Sequence, residues 1–366
     1  MKNIYLDNAA STKFREELLD ELVELNRNIY ANPSSVHSLG RQSRVLLENA
    51  RLTVAKNLGV DAKNIIFTSG ATESNNMAIN SAINKQKEIL CSSIEHSSIL
   101  EHMKQLETMG YIVKYINVKS DGMIDLEHFR SLMSDKVGLV VVMAVNNETG
   151  SIQAIKEIAK EIKNKNIHFH VDAAQYITKE KMNIYEMGAD SMSFSAHKFY
   201  GPKGVGILYI KDDIAIKKLI YGGKQERNKR AGTENLLNII LSSKALEIAI
   251  NNMEKEKAYV KGLMDYFVSN IQEMENIQIN GENRISNIIN ISIKDKNIQL
   301  LLPMLDLKGI CVSGGSACMS GSLSGSHVLK AMGFDDDRVM SSIRISLGIY
   351  NTKEEIDYLI TTLKEI

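Results

Sequence analysis

Residues 189–204 read Ala189-Asp190-Ser191-Met192-Ser193-Phe194-Ser195-Ala196-His197-Lys198-Phe199-Tyr200-Gly201-Pro202-Lys203-Gly204. A short apolar strand ends directly before a lysine, and a Gly/Pro turn follows. A lysine at the end of a buried strand is desolvated, which lowers its pKa and frees the amine for Schiff-base chemistry. The same residues also fit a solvated surface lysine beside a turn, so a second segment is needed to decide. His168-Phe169-His170-Val171-Asp172-Ala173-Ala174-Gln175 ends another apolar strand with an acid. An acid so placed is what pyridoxal phosphate (PLP) needs opposite its ring nitrogen when a lysine holds its aldehyde. His168, His170 and Asp172 share one strand face by period-two alternation, which invites a metal reading as well. Neighbouring side chains on one strand rarely close around an ion unaided, and the PLP reading uses Asp172 alone.

The order and spacing of S-x-S-A-H-K and H-V-D-A-A-Q resemble the fold-type I PLP enzymes of the class V aminotransferase group. Within that group the chain resembles cysteine desulfurases of the NifS/IscS kind, from Tyr5-Leu6-Asp7-Asn8-Ala9-Ala10 to Ser342-Ile343-Arg344-Ile345-Ser346-Leu347-Gly348. The resemblance implies an α/β fold, a mainly parallel sheet covered by helices, with a smaller α+β C-terminal domain. The expected division is 13–253 for the large PLP-binding domain, and 1–12 with 254–366 for the small domain.

The 366 residues suffice for one large core and a smaller one. Forty-four basic and forty-four acidic residues cancel, which argues against binding to nucleic acid or an anionic membrane by bulk charge. No apolar run approaches the length of a membrane span, and Met1-Lys2-Asn3-Ile4-Tyr5 lacks the regions of a signal peptide. A cytoplasmic protein is expected. Three cysteines with no CxxC pair point to free thiols in a reducing compartment and give zinc no support.

Along the chain, Ser11 to Tyr30 reads as a capped amphipathic helix with Leu18, Leu22 and Leu25 on one side, and a second helix runs from Leu39 to Leu58, stopped by Gly59. Strand Asn64–Phe67 then enters Thr68-Ser69-Gly70-Ala71-Thr72-Glu73-Ser74-Asn75 and a helix. Backbone N–H groups at such a start, with Ala71 and Thr72, suit a phosphate, although plain N-capping has the same composition. Apolar runs 89–93, 111–118 and 138–145 alternate with helices, as in a parallel sheet buried on both faces. Ligands of such sheets bind beyond the carboxyl ends of the strands. His96, Asn147, Asp172 and Lys198 all fall at or just after such ends, which suggests one shared site. A helical pattern from about Asn235 to Ile271, with a break near Asn251, joins the domains. Strand Ile285–Ile293, helix Asn297–Leu307, strand Gly309–Val312, helix Ser326–Met332, strand Ser342–Ser346 and a helix from Thr352 complete the chain.

Cys91 and Cys311 sit among apolar strand residues, where cysteine behaves as a small buried hydrophobe. Cys318 lies in Ser313-Gly314-Gly315-Ser316-Ala317-Cys318-Met319-Ser320-Gly321-Ser322, too poor in apolar residues to pack firmly, so its sulfur is the reactive candidate. By the resemblance, Lys198 would hold PLP, Asp172 would pair with its ring nitrogen, Gln175 would hydrogen-bond its ring oxygen and His96 would stack on the ring and assist proton transfer. Thr72, Ser195 and His197 would bind the phosphate, joined by Thr233 from the other subunit of a homodimer. Asn147 and Arg344 would orient L-cysteine, and Cys318 would take its sulfur as a persulfide or transiently ligate a cluster. The sulfur acceptor would be an iron–sulfur scaffold or a tRNA- or cofactor-thiolation protein. The chain ends at Ile366 without the C-terminal extension of longer relatives, which leaves the acceptor open. A selenocysteine lyase, another class V PLP enzyme and a non-catalytic sulfur-trafficking protein are the alternatives.

Overall fold

The computed structural model describes residues 3–212, 214–315 and 325–366. After a short β1 (Ile4–Tyr5), the strands β2 (Ile65–Thr68), β3 (Glu88–Ser92), β4 (Ile112–Ile116), β5 (Val137–Met143), β6 (His168–Asp172), β7 (Ser191–Ser195) and β8 (Gly206–Ile210) follow. All but β1 form a seven-stranded sheet of order β2-β8-β7-β6-β5-β3-β4. Every adjacent pair is parallel except those of β8, which runs antiparallel to β2 and β7. Strand β5 shows why the sheet is buried on both faces: Val140 and Val142 join a core shared with Leu47 and Val54 of the helix Ser38–Leu58. Leu139 and Val141, pointing the other way, join Ile79, Met103 and Leu106. Because β2, β3, β5, β6 and β7 are parallel, their carboxyl ends share one edge, and β8 starts there at Gly206.

The helix Ser38–Leu58 ends where expected, at Gly59 with φ +68°. The first helix does not. It runs Leu19–Asn28, preceded by a 3₁₀ turn at Glu16–Leu18, because residues 11–15 are committed elsewhere. Thr12 N–H donates to His197 O (3.0 Å), Tyr200 N–H to Thr12 Oγ1 (2.9 Å) and Arg15 N–H to Tyr200 O (3.0 Å). This strap follows the turn after β7. The long pattern after Asn235 divides at Asn252 into Leu236–Asn251 and Met253–Ile271. A helix at Ile155–Ile162 was not anticipated from the sequence.

The last third carries β9 (Ile277–Asn280), β10 (Ile288–Ile293), β11 (Ile310–Cys311) and β12 (Ser342–Ser346). Strands β12, β10 and β9 form an antiparallel sheet, and β1 pairs in parallel with β11. Strand β10 starts three residues later than Ile285, and β9 was not foreseen. Leu6 packs with Phe267, Ile291, Ile343, Ile345 and Leu359 in a second core, so the N-terminus is built into the C-terminal part. Thr352 closes a capping box with Glu355 on the helix Lys353–Lys364. Among the described residues no helix is long and apolar enough to cross a membrane.

A buried ion pair fixes the loop that carries Thr233. Arg51 Nη1 and Nη2 each lie 2.7 Å from a carboxylate oxygen of Glu226, and Glu226 Oε2 accepts the Phe67 N–H (2.8 Å).

Gly206 is where the sheet touches the turn after β2: a Cβ there would stand 2.4 Å from the backbone carbon of Gly70 and 2.4 Å from Thr68 Oγ1. Backbone cannot swing away as a side chain can. Gly206→Ala should therefore destabilise the protein by about 1–3 kcal/mol in denaturant unfolding, and an unchanged midpoint would show that the turn has slack.

Candidate active site

A cavity of about 460 Å³ opens at the shared strand edge, within the roughly 300–1,000 Å³ of small-molecule sites. Lys198, His96, Ala71, Thr72, Asp172, Gln175, Ser195, His197, Asn147 and Arg344 all line it. Thr233 does not; it lines a neighbouring cavity that shares Ser69 and Gly204 with the first. Cys318 lies outside the described residues. Ala9, Ala10, Ser11, Lys203 and Gly204 also line the cavity and were missed. The Pro-Lys-Gly turn after Lys198 was a signal for the last two; Ala9 and Ala10 stood only in the opening motif of the resemblance, and a helix was expected to start at Ser11.

The cavity wall combines two kinds of chemistry. Strand β6 delivers Asp172, which is buried. Its Oδ1 accepts the Ala174 N–H (2.9 Å) and its Oδ2 accepts Asn75 Nδ2 (2.8 Å). The wall also carries the N-terminus of the helix Ala71–Ala82, Ser195, His197 and Lys203. The first N–H groups of that helix have no acceptor within it. His197, 3.3 Å from Ser11 Oγ, is held down to about 4 by burial and by Lys198. Lys198 leaves β7 on a 3₁₀ turn, Ala196–Lys198, and its Nζ donates to Ala9 O (2.5 Å) and Ala10 O (2.9 Å). A buried carboxylate, anion-binding donors and an amine on the wall of one cavity are a donor set that fits PLP.

His96 caps the helix Ser97–Thr108, its Nδ1 accepting the Ser98 N–H at 3.1 Å. A backbone N–H only donates, so neutral His96 carries its proton on Nε2, the nitrogen left for the cavity. Burial lowers its pKa and favours that neutral form. Gln175 Nε2 donates to Ala9 O (2.8 Å). Arg344 is buried on β12, with Nη1 donating to Asn147 O (2.9 Å) and Nη2 to Asp7 Oδ1 (2.6 Å). A guanidinium has five N–H donors, so donors remain for a carboxylate.

The two histidines of β6 are tied by hydrogen bonds. His168 Nε2 and His170 Nδ1 lie 2.7 and 2.8 Å from Ser191 Oγ, and His170 Nε2 lies 3.0 Å from Asn75 Oδ1. Burial holds His170 down to about 3, hence neutral.

The family described as Aminotransferase class-V matches residues 4–359. A protein named cysteine desulfurase IscS from Dictyoglomus turgidum is 42% identical over 372 residues, which cover 100% of this chain and 94% of that one. A solved structure titled as a NifS-like protein superposes with a TM-score of 0.93 at 37% identity, covering 99% of this chain and 98% of its own. A NifS-like protein from Rickettsia africae gives 0.90 at 33% identity, covering 100% of both chains.

Glu95, beside His96, is fully buried; Oε1 accepts the Met143 N–H (2.6 Å) and Oε2 has no hydrogen-bond partner among the described residues. Burial raises its pKa from the usual 4.5 to about 8. Between those values the folded protein binds a proton that the unfolded chain has released, so stability falls as pH rises through that window and levels off above it. The loss from about pH 5 to about pH 8 should be on the order of a few kcal/mol in denaturant unfolding, and Glu95→Gln should flatten it. Equal slopes in the two proteins would contradict the assignment.

Proposed function

The chain belongs to the class-V aminotransferase family, whose members are PLP-dependent, and from that premise we propose that it is a cysteine desulfurase. It converts L-cysteine to L-alanine and keeps the sulfur on Cys318. The names of the similar proteins support this reading, but one observation in this chain carries it. The segment bearing Cys318 enters and leaves beside the cavity. On the entering side, Ser313 and Arg344 exchange backbone hydrogen bonds (3.2 and 2.7 Å). On the leaving side, Ser326 Oγ donates to the carboxylate of Glu148, next to Asn147, and His327 Nε2 lies 3.1 Å from Glu95 O, next to His96.

When bound, PLP supplies an electron sink for the substrate's Cα. Lys198 would hold the cofactor's aldehyde, and its Nζ is the group that would move the Cα proton. Asp172 would pair with the ring nitrogen, Gln175 would bond the ring oxygen, and His96, a donor at Nε2, would cover the ring. Ala71, Thr72, Ser195 and His197 would hold the phosphate, with Thr233 from a second copy of the chain in a homodimer. Arg344 and Asn147 orient the substrate carboxylate. Cys318 thiolate attacks the substrate sulfur: an S–S bond forms, the C–S bond breaks and its electron pair stays with carbon, which is protonated to alanine. Cysteine and one thiol thus become alanine and one persulfide. The other two thiols are poorer nucleophiles, since burial pushes the pKa of both Cys91 and Cys311 up.

The same reading divides the chain into 13–253, which binds PLP, and 1–12 with 254–366, which carries the Cys318 segment. The setting is cytoplasmic, and the sulfur passes to an iron–sulfur scaffold or a thiolation protein.

Mass spectrometry after addition of L-cysteine should find alanine released and one extra sulfur on Cys318. Cys318→Ser should keep PLP but lose turnover by at least about a hundredfold. A persulfide on Cys91 or Cys311, or full turnover by Cys318→Ser, would overturn the choice of thiol.

A further inference from the structure

Asn75, on the inner face of the helix Ala71–Ala82, touches Asp172 itself and Ser98, the hydrogen-bond partner of His96. Its Nδ2 lies 2.8 Å from Asp172 Oδ2 and 3.0 Å from Ser98 Oγ, and its Oδ1 lies 3.0 Å from His170 Nε2. Asn75, His170 and Ser191 are wholly buried, so each polar atom must be matched. We propose that Asn75 is a positioning residue that sets Asp172 and His96 together toward the ring, and that His170 fixes which way the Asn75 amide faces. This rests on Asp172 facing the ring nitrogen.

Proton counting gives the chain of bonds a single direction. A carboxylate only accepts, so the Asn75 atom beside Asp172 is the NH₂ group. Its carbonyl then faces His170, which must donate from Nε2. Neutral His170 therefore accepts at Nδ1, 2.8 Å from Ser191 Oγ. That hydroxyl spends its one proton there and accepts from His168 Nε2 at 2.7 Å. The second amide proton of Asn75 goes to Ser98 Oγ, which lies 2.9 Å from His96 Nδ1. The Ser98 N–H already fixes the His96 proton on Nε2, and Asn75 holds the Ser98 hydroxyl against that ring. One amide thus holds both the acceptor assigned to the ring nitrogen and the residue that supports His96.

Reversal of that amide would set a carbonyl against the Asp172 carboxylate. Asn75→Ala removes the donor, and His170→Leu removes what holds the amide in place. In either variant the Asp172 carboxylate loses the donor that holds it in place, so it pairs less well with a proton on the ring nitrogen. Gln at 170 can donate to Asn75 and accept from Ser191, and it restores the direction.

The test reconstitutes each protein with PLP carrying ¹⁵N in the ring and records the ring-nitrogen resonance and the PLP dissociation constant. Asp172→Asn should shift the resonance toward the unprotonated value. Asn75→Ala and His170→Leu should shift it the same way by a smaller amount and weaken PLP binding about tenfold or more. His170→Gln should stay close to the parent. Helices tolerate alanine best, so Asn75→Ala decides alone if His170→Leu does not fold. Parent-like resonance and affinity in Asn75→Ala would overturn the proposal while leaving the Asp172 assignment intact, and damage by His170→Gln equal to that of His170→Leu would overturn the role of His170. An unmoved resonance in Asp172→Asn would remove the assignment itself, and the proposal with it.

Discussion

A carboxylate buried at the end of a central strand persists only where donors surround it, because an uncompensated charge in the interior costs several kcal/mol or more. Asp172 is that carboxylate. Its two donors, Asn75 and the Ala174 N–H, come from the helix after β2 and from its own turn, so helix and sheet must close together before the charge is tolerable. On the proposed assignment, a cofactor with a protonated ring nitrogen would add the remaining positive partner. Folding of the large sheet and preparation of the site are therefore one event in physical terms.

Convergence does the rest. Parallel strands bring Asp172, Ser195 and the turn before Ala71 to one edge, and the reversed β8 brings Gly206 back against that turn. The strap from Asp7 to Arg15 links the second sheet to the first. Asp7 bridges to Ser346 and pairs with Arg344. Ala9 and Ala10 accept from Lys198, and Thr12 and Arg15 bond to the turn beyond it. Arg344 therefore reaches the cavity through backbone that also touches Lys198, and a shift of one is felt by the other.

Much of this was legible in the sequence for a definite reason. Continuous apolar runs such as 138–145 declare buried parallel strands, and chemically distinctive residues stand directly after them, which is how Asp172, His96, Asn147 and Lys198 were found. Strand direction leaves no such mark, so the antiparallel β8 came only from the structure. Periodicity extended the first helix back to Ser11 because it cannot register that Thr12 and Arg15 spend their backbone groups on His197 and Tyr200. Asn75 was passed over inside a helical pattern. A polar residue on the face of the helix Ala71–Ala82 turned toward the sheet, beside the apolar Met77, Ala78 and Ile79, was the available signal.

The central claim is that this strand edge holds PLP through Lys198. The most direct measurement is borohydride reduction of the reconstituted protein followed by peptide mass mapping. The account predicts the pyridoxyl mass on the peptide containing Lys198 and no modification in Lys198→Ala. Attachment at another lysine, or equal labelling of Lys198→Ala, would contradict it.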